Sequence, residues 1–168
     1  MTESIPDAGG PATGRRLHLP IHVRWGDLDA FNHVNNTSML KLLEEARIRA
    51  FWQPEPGEQA PSTAVLDTGV DSGVLMLIAR QEIEYLAPVP YQRAPLDIQL
   101  WFGKLGGSSI EVCYEVFSSA AQPTLYARAT TVVVKVDAAS GRPMRLSPLE
   151  RDAWEPYLGP ALSYAHRR

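Results

Sequence analysis

The chain has one cysteine, Cys113, among 168 residues. An internal disulfide is therefore impossible, and a zinc site built from several cysteines is excluded. No apolar run approaches the roughly 20 residues that cross a bilayer as a helix, so membrane insertion is not expected. Met1 to Arg16 also lack the apolar stretch of a secretory signal. Basic residues are in the minority: 16 Lys and Arg against 19 Asp and Glu give a net charge of −3. That balance argues against a nucleic-acid binder held by its overall charge. No internal repeat is present. The expectation is a cytoplasmic globular protein. With 45% hydrophobic and 21% charged residues the composition is near the globular average, and the length suits one domain at roughly 150 residues per domain.

Residues 1–15, rich in Gly, Pro, Ala and Thr with no apolar period, read as a flexible tail. Residues 16–158 form the expected domain, and 159–168 a C-terminal tail. Leu17, Leu19, Ile21, Val23 and Trp25 alternate with His18, Pro20, His22 and Arg24, the pattern of a half-buried strand; Pro20 marks an edge or a bulge, since it cannot donate to a ladder. Met39, Leu43, Ala46 and Ala50 then recur at helical spacing, widened by Leu42 and Phe51. Asn35, Asn36 or Thr37 can cap that helix, and Pro54, Pro56 and Gly57 stop it. From Val74 onward the period changes to two. Alternation runs through Ile83 and Tyr85, through Leu96 to Phe102, through Ile110 to Val116, and into a β-branched run ending near Asp137. Pro88–Pro90, Gly106–Gly107 and Pro123 fall between the runs, as turns should. A short helix is expected after Ser147, with Pro148 in its first turn. One helix followed by four antiparallel-looking strands disfavours a doubly wound parallel sheet. The expected class is α+β, with one long central helix wrapped by a curled antiparallel sheet.

The chemistry concentrates in Asp27-Leu28-Asp29-Ala30-Phe31-Asn32-His33-Val34-Asn35-Asn36, between the first strand and the start of the main helix. A helix N-terminus offers unpaired N–H groups and the positive end of a dipole, able to polarise a carbonyl or hold an oxyanion. A carboxylate beside it can act as nucleophile or as general base. The competing reading is structural, because Asp, Asn and His are ordinary turn and capping residues.

Trp25-Gly26-Asp27-Leu28-Asp29, then His33-Val34-Asn35-Asn36, then a helix carrying Leu43-Glu44-Glu45-Ala46-Arg47, resembles the hotdog-fold thioesterases of the 4-hydroxybenzoyl-CoA thioesterase type. It is also similar to the plant acyl-ACP thioesterases. Ile83-Glu84-Tyr85-Leu86-Ala87-Pro88-Val89 and Leu105-Gly106-Gly107-Ser108-Ser109 resemble later strands of the same family, so the likeness spans about Leu17 to Asp137. It implies the hotdog fold, hydrolysis of acyl-CoA thioesters (acyl-ACP being the other carrier), and no cofactor. It implies Asp29 as the catalytic carboxylate, His33 as its companion, and Val34, Asn35 and Asn36 as the helix start that polarises the thioester carbonyl. It further implies a homodimer or a dimer of dimers with substrate at the subunit interface. Where the plant pattern has asparagine two residues after the aspartate, this chain has Phe31, and the plant strand carboxylate falls near Pro88.

Glu44 or Glu45 is the alternative catalytic carboxylate, although Glu45 and Arg49 suit an i,i+4 pair. No His-x-x-x-His or repeated carboxylate pattern supports a metal. Coenzyme A carries phosphates, for which Arg80, Arg93, Lys104 and Arg128 are candidate cations, with Ser108 and Ser109 as hydroxyl donors. Two other functions share the fold: a hydratase or dehydratase acting on acyl-CoA, and a non-catalytic acyl-CoA-binding protein.

Overall fold

The computed structural model describes residues 14–67 and 69–165. All but two residues of the expected N-terminal tail, and residues 166–168 of the expected C-terminal one, lie outside the described residues. Five strands form one antiparallel curled sheet: β1 (Leu17–Ile21), β2 (Val74–Tyr85), β3 (Leu96–Leu105), β4 (Ser109–Ser118) and β5 (Leu125–Asp137), in the order β1-β3-β4-β5-β2. Pro20 lies on an edge strand, where its missing N–H is tolerated. The first strand is shorter than its alternation suggests. Asp27 accepts the Arg24 N–H at 2.7 Å and turns residues 25–27 into a 3-10 coil, which leaves Trp25 72% exposed instead of inward.

Helix α1 (Asn36–Phe51) has 16 residues, about 24 Å at 1.5 Å per residue. It packs most closely against β1 and β3, a helix of 16 residues in place of the long central one expected. Met39, Leu42, Leu43, Ala46, Ala50 and Phe51 are its buried apolar residues, the same face that the spacing marks out. They meet Leu96, Ile98, Leu100 and Phe102 of β3 and Ile110, Val112, Tyr114 and Val116 of β4 in one core. Each fully buried aliphatic side chain of this kind contributes about 1.5–3 kcal/mol. One charged group also enters this layer: Arg47, 7% exposed, donates to the Tyr114 hydroxyl at 3.2 Å. Burial pushes the Tyr114 phenol up to about 12 although the neighbouring guanidinium pulls it down.

Helix α2 (Pro148–Trp154) begins with a reciprocal cap, in which Ser147 Oγ accepts the Glu150 N–H and Glu150 accepts the Ser147 N–H. Glu150 also pairs with Lys135 of β5 at 2.6 Å, both side chains being buried. Trp154 closes the core in a cluster with Phe51 and Phe102, and its indole N–H donates to Thr63 O at 2.9 Å.

The sheet's other face is covered differently. Residues 159–164 cross it from β3 to β5. The Gly159 N–H donates to Phe102 O at 2.9 Å, Trp101 Nε1 donates to Pro160 O at 2.9 Å, and the Tyr164 and Thr130 hydroxyls share a hydrogen bond of 2.7 Å. A side chain at Gly159 would place its Cβ 2.8 Å from the Trp101 ring, and one at Gly103 would lie 3.3 Å from Ala161. Two glycines therefore set how closely this strap lies.

Candidate active site

The loop before α1 is a small hairpin. Leu28 pairs with Val34, the Asp29 N–H donates to His33 O at 2.8 Å, and the Asn35 N–H donates to Asp27 O at 2.8 Å. Asn32 takes the left-handed conformation at the tip, φ 62°, one of the few residue types that do so readily. Asp29 Oδ1 accepts the N–H of Phe31 at 2.8 Å and that of His33 at 3.4 Å, whereas Oδ2 has no partner among the described residues. One carboxylate oxygen holds the turn and the other is available.

Val34, Asn35 and Asn36 have different situations. The Val34 N–H donates to Val89 O at 2.8 Å and the Asn35 N–H is committed to Asp27. Asn35 is the N-cap, its side chain accepting from Thr37 N at 2.9 Å and Thr37 Oγ1 at 2.7 Å. The Asn36 N–H, first of the helix, has no acceptor among the described residues. His33 belongs to the same loop, with its ring exposed and its backbone bridged to Pro90.

Asp27 is structural by its contacts. Burial pushes its carboxyl up, but the hydrogen bonds and charge of Arg24 outweigh this, and its pKa lies below the usual carboxylate value. Glu45 pairs with Arg49 at 2.8 Å, and Glu44 and Glu45 line a separate cavity with His22 and Lys41, to which Asp29 does not contribute. Two contributors are missed by sequence reasoning. Tyr85, the last residue of β2, donates its hydroxyl to Asn36 O at 3.3 Å, and desolvation raises its pKa. Residues 88–90, read as a turn, brace the hairpin through Val89 and Pro90, and the next residue, Tyr91, packs edge-on against Trp25 at 5.3 Å. No local pattern marks these residues, because their partners lie 49 or more positions away in sequence.

Arg80, Lys104 and Ser109 come together. With Ile110, Glu111 and Val132 they line a cavity of about 380 Å³. The register explains it: Arg80 pairs with Val132, Val132 with Glu111, and Glu111 with Lys104, in one row across the sheet. Arg93 lies exposed in the β2–β3 connection, outside that lining, and the backbone of Ser108 accepts the Lys135 N–H. Arg128 is committed to Glu115 at 3.2 Å, which also holds Arg16. Among the described residues no group of three or more His, Cys, Asp or Glu side chains is disposed to hold a metal ion, and no helix is long and apolar enough to cross a membrane.

An antiparallel curled sheet with α1 on one face and a polar hairpin feeding that helix is the architecture of a hotdog-type protein. The model of the thioesterase-like superfamily matches residues 23–153, and the chain belongs to that superfamily, whose general chemistry is thioester hydrolysis. The PA5185 protein of Pseudomonas aeruginosa strain PAO1 is 25% identical with a TM-score of 0.70, over 87% of this chain and 94% of that one. A thioesterase of Thermus thermophilus, crystallised with coenzyme A and Zn, is 27% identical with a TM-score of 0.61, over 84% and 92%. The DHNA-CoA thioesterase of Staphylococcus aureus, 15% identical with a TM-score of 0.64 over 84% and 88%, shares the fold. The curated proteins contain no match.

Proposed function

We propose that the protein hydrolyses acyl-CoA thioesters in the cytoplasm, with Asp29 as the catalytic carboxylate and the Asn36 N–H as the donor to the thioester carbonyl. The observation that carries this reading is the division of labour within Asp29: Oδ1 is fixed by two N–H groups while Oδ2 is without a partner among the described residues. The hairpin that carries Asp29 is tied through its backbone to Val89 and, by the Asn35 N–H to Asp27 O bond, to the residue that caps α1, which supports this reading. A carbonyl oxygen accepting from Asn36 would be polarised by the N–H and the helix dipole together. Oδ2 then either attacks the carbonyl carbon, expelling the thiolate and leaving an anhydride for water to open, or takes a proton from the water that attacks. His33, exposed beside it, is the companion group for the leaving thiolate.

Arg80, Lys104 and Ser109 receive the nucleotide end of coenzyme A, a reading supported by the Thermus thermophilus relative that binds coenzyme A. The active form is a homodimer or a dimer of dimers. β2 is an edge strand twelve residues long, and Leu75, Leu77, Ile78 and Tyr85 on it are 44–49% exposed, which favours pairing with a second copy.

The test is thiol release from short, medium, long-chain and aromatic acyl-CoAs. Turnover of at least one class supports the proposal. Acyl-CoA binding without thiol release from any of them would favour the non-catalytic reading, and hydration of an enoyl-CoA would favour the hydratase.

A further inference from the structure

A second cavity, of about 350 Å³, adjoins the one described above and shares Arg80 and Glu111 with it. Its far wall is the strap, Ala161 to Tyr164. The two form one groove on the sheet face opposite α1, and the cations reach that face through two irregularities. The β2–β5 register shifts between Ile78 and Arg80, leaving Ala79 unpaired, and the β3–β4 register shifts between Phe102 and Lys104, leaving Gly103 unpaired. In a regular strand residues two apart share a face. Ile78 pairs with Val133 and Phe102 with Val112, both partners being buried core residues, so without the extra residues Arg80 and Lys104 would lie on the α1 side of the sheet. Bulges of this kind commonly re-aim side chains beside functional sites. Among the described residues neither Arg80 nor Lys104 has a carboxylate at ion-pair distance.

The strap supplies what the cations lack. Tyr164 is held by Thr130, and Leu162 and Ser163 line the same cavity. A fixed aromatic ring beside Arg80, with Lys104 further along the groove and neither cation at ion-pair distance from a carboxylate among the described residues, suits a purine carrying phosphates, the rings meeting face to face and the cations meeting the phosphate oxygens. We infer that the C-terminal strap is the carrier-reading wall of the substrate site: Tyr164 and Arg80 hold the nucleotide end of coenzyme A, and the chain thereby prefers acyl groups on coenzyme A to the same groups on a carrier without a nucleotide. This rests on the thioesterase reading for its kinetic consequence, but not for its binding test.

Adenosine 3′,5′-bisphosphate, the nucleotide end of coenzyme A, is titrated calorimetrically into the full chain and into the Tyr164→Ala and Arg80→Ala variants. Wild type is expected to bind it, and each variant to bind about tenfold more weakly. The ratio of kcat/KM for an acyl-CoA over the matching acyl-N-acetylcysteamine thioester falls by a similar factor in both variants. No binding to wild type, or unchanged affinity in Tyr164→Ala, overturns the inference. So does an equal loss on both thioesters, which marks a purely structural strap. Tyr164→Phe keeps the ring and should retain most of the affinity, which keeps the test decisive if the alanine variant does not fold; a Tyr164→Phe that folds and no longer binds overturns the role of the ring. Bisphosphate binding with no thioester turned over would remove the catalytic reading and leave the groove standing.

Discussion

Asp29 Oδ1 lies 2.8 Å from the backbone nitrogen of Phe31, so the carboxylate proposed for chemistry also closes the turn that carries it. The two roles separate by substitution. Asn in place of Asp29 keeps an oxygen that can accept the Phe31 N–H, and Ala does not. Thiol release should fall by about 10²-fold or more in both variants. Stability should be nearly unchanged in Asp29→Asn and lower by about 1 kcal/mol in Asp29→Ala. Equal turnover in wild type and Asp29→Asn would move the chemistry to Glu44, Glu45 or His33. Label found in Asp29 after a single turnover in ¹⁸O water would identify attack by the carboxylate, with water opening the anhydride at the aspartyl carbon.

Asp27 gives a pH dependence of stability. Its pKa is below the ordinary carboxylate value when folded, so the unfolded chain binds more protons just beneath pH 3.9 or thereabouts. The contribution is complete above that value and is lost as pH falls through the folded pKa. Urea unfolding of wild type and Asp27→Asn should show a constant gap at neutral pH that narrows below about pH 4. A gap independent of pH would mean that shape, and not charge, sets the role of Asp27.

Lys135 and Glu150 are both 6% exposed. Glu150→Gln keeps an acceptor for the Ser147 N–H but leaves the lysine buried without its counter-charge, a loss expected at about 3–5 kcal/mol. Adding Lys135→Met removes the stranded charge and should recover most of it. Denaturant midpoints of the two single variants and the double variant measure this directly; failure of the double variant to recover would assign the loss to the cap.

The open edge of β2 tests the assembly. Ile78→Lys places a charge on an exposed apolar position of that strand, and edge charges block strand pairing. Sedimentation should show the wild type as a dimer or larger and Ile78→Lys shifted toward monomer, with turnover per chain falling in step. A wild type that is monomeric at assay concentration and fully active would refute the interface reading.

Much of the fold can be read from the chain. The face of α1 follows from the spacing of Met39, Leu43, Ala46 and Ala50, and the Ser147 cap follows from its own local rules. The turn closed by Asp29 is equally local, its carboxylate accepting from the N–H groups of Phe31 and His33. Other features are settled by distant partners. Trp25 keeps the alternation of the first strand yet is exposed, because the contacts between Arg24 and Asp27 coil residues 25–27 beyond the strand's end. The commitment of the Val34 N–H depends on Val89, and no spacing near Val34 announces it. Residues 159–164 look like a tail for the same reason: their order comes from Phe102, Trp101 and Thr130, far back along the chain. Arg80, Lys104 and Ser109 are recognisable by type, but their convergence needs the sheet register.

The unpaired residues Ala79 and Gly103 give strand length a phase. Deleting either one would mend a ladder and spare every side chain's chemistry, yet it would turn the residues beyond it through half a period. The polar set after Ala79 would then be driven toward the core and its apolar neighbours outward. At these two positions the count of residues carries information that no substitution can restore, so a single-codon deletion should be far more damaging here than any exchange of side chain at the same place.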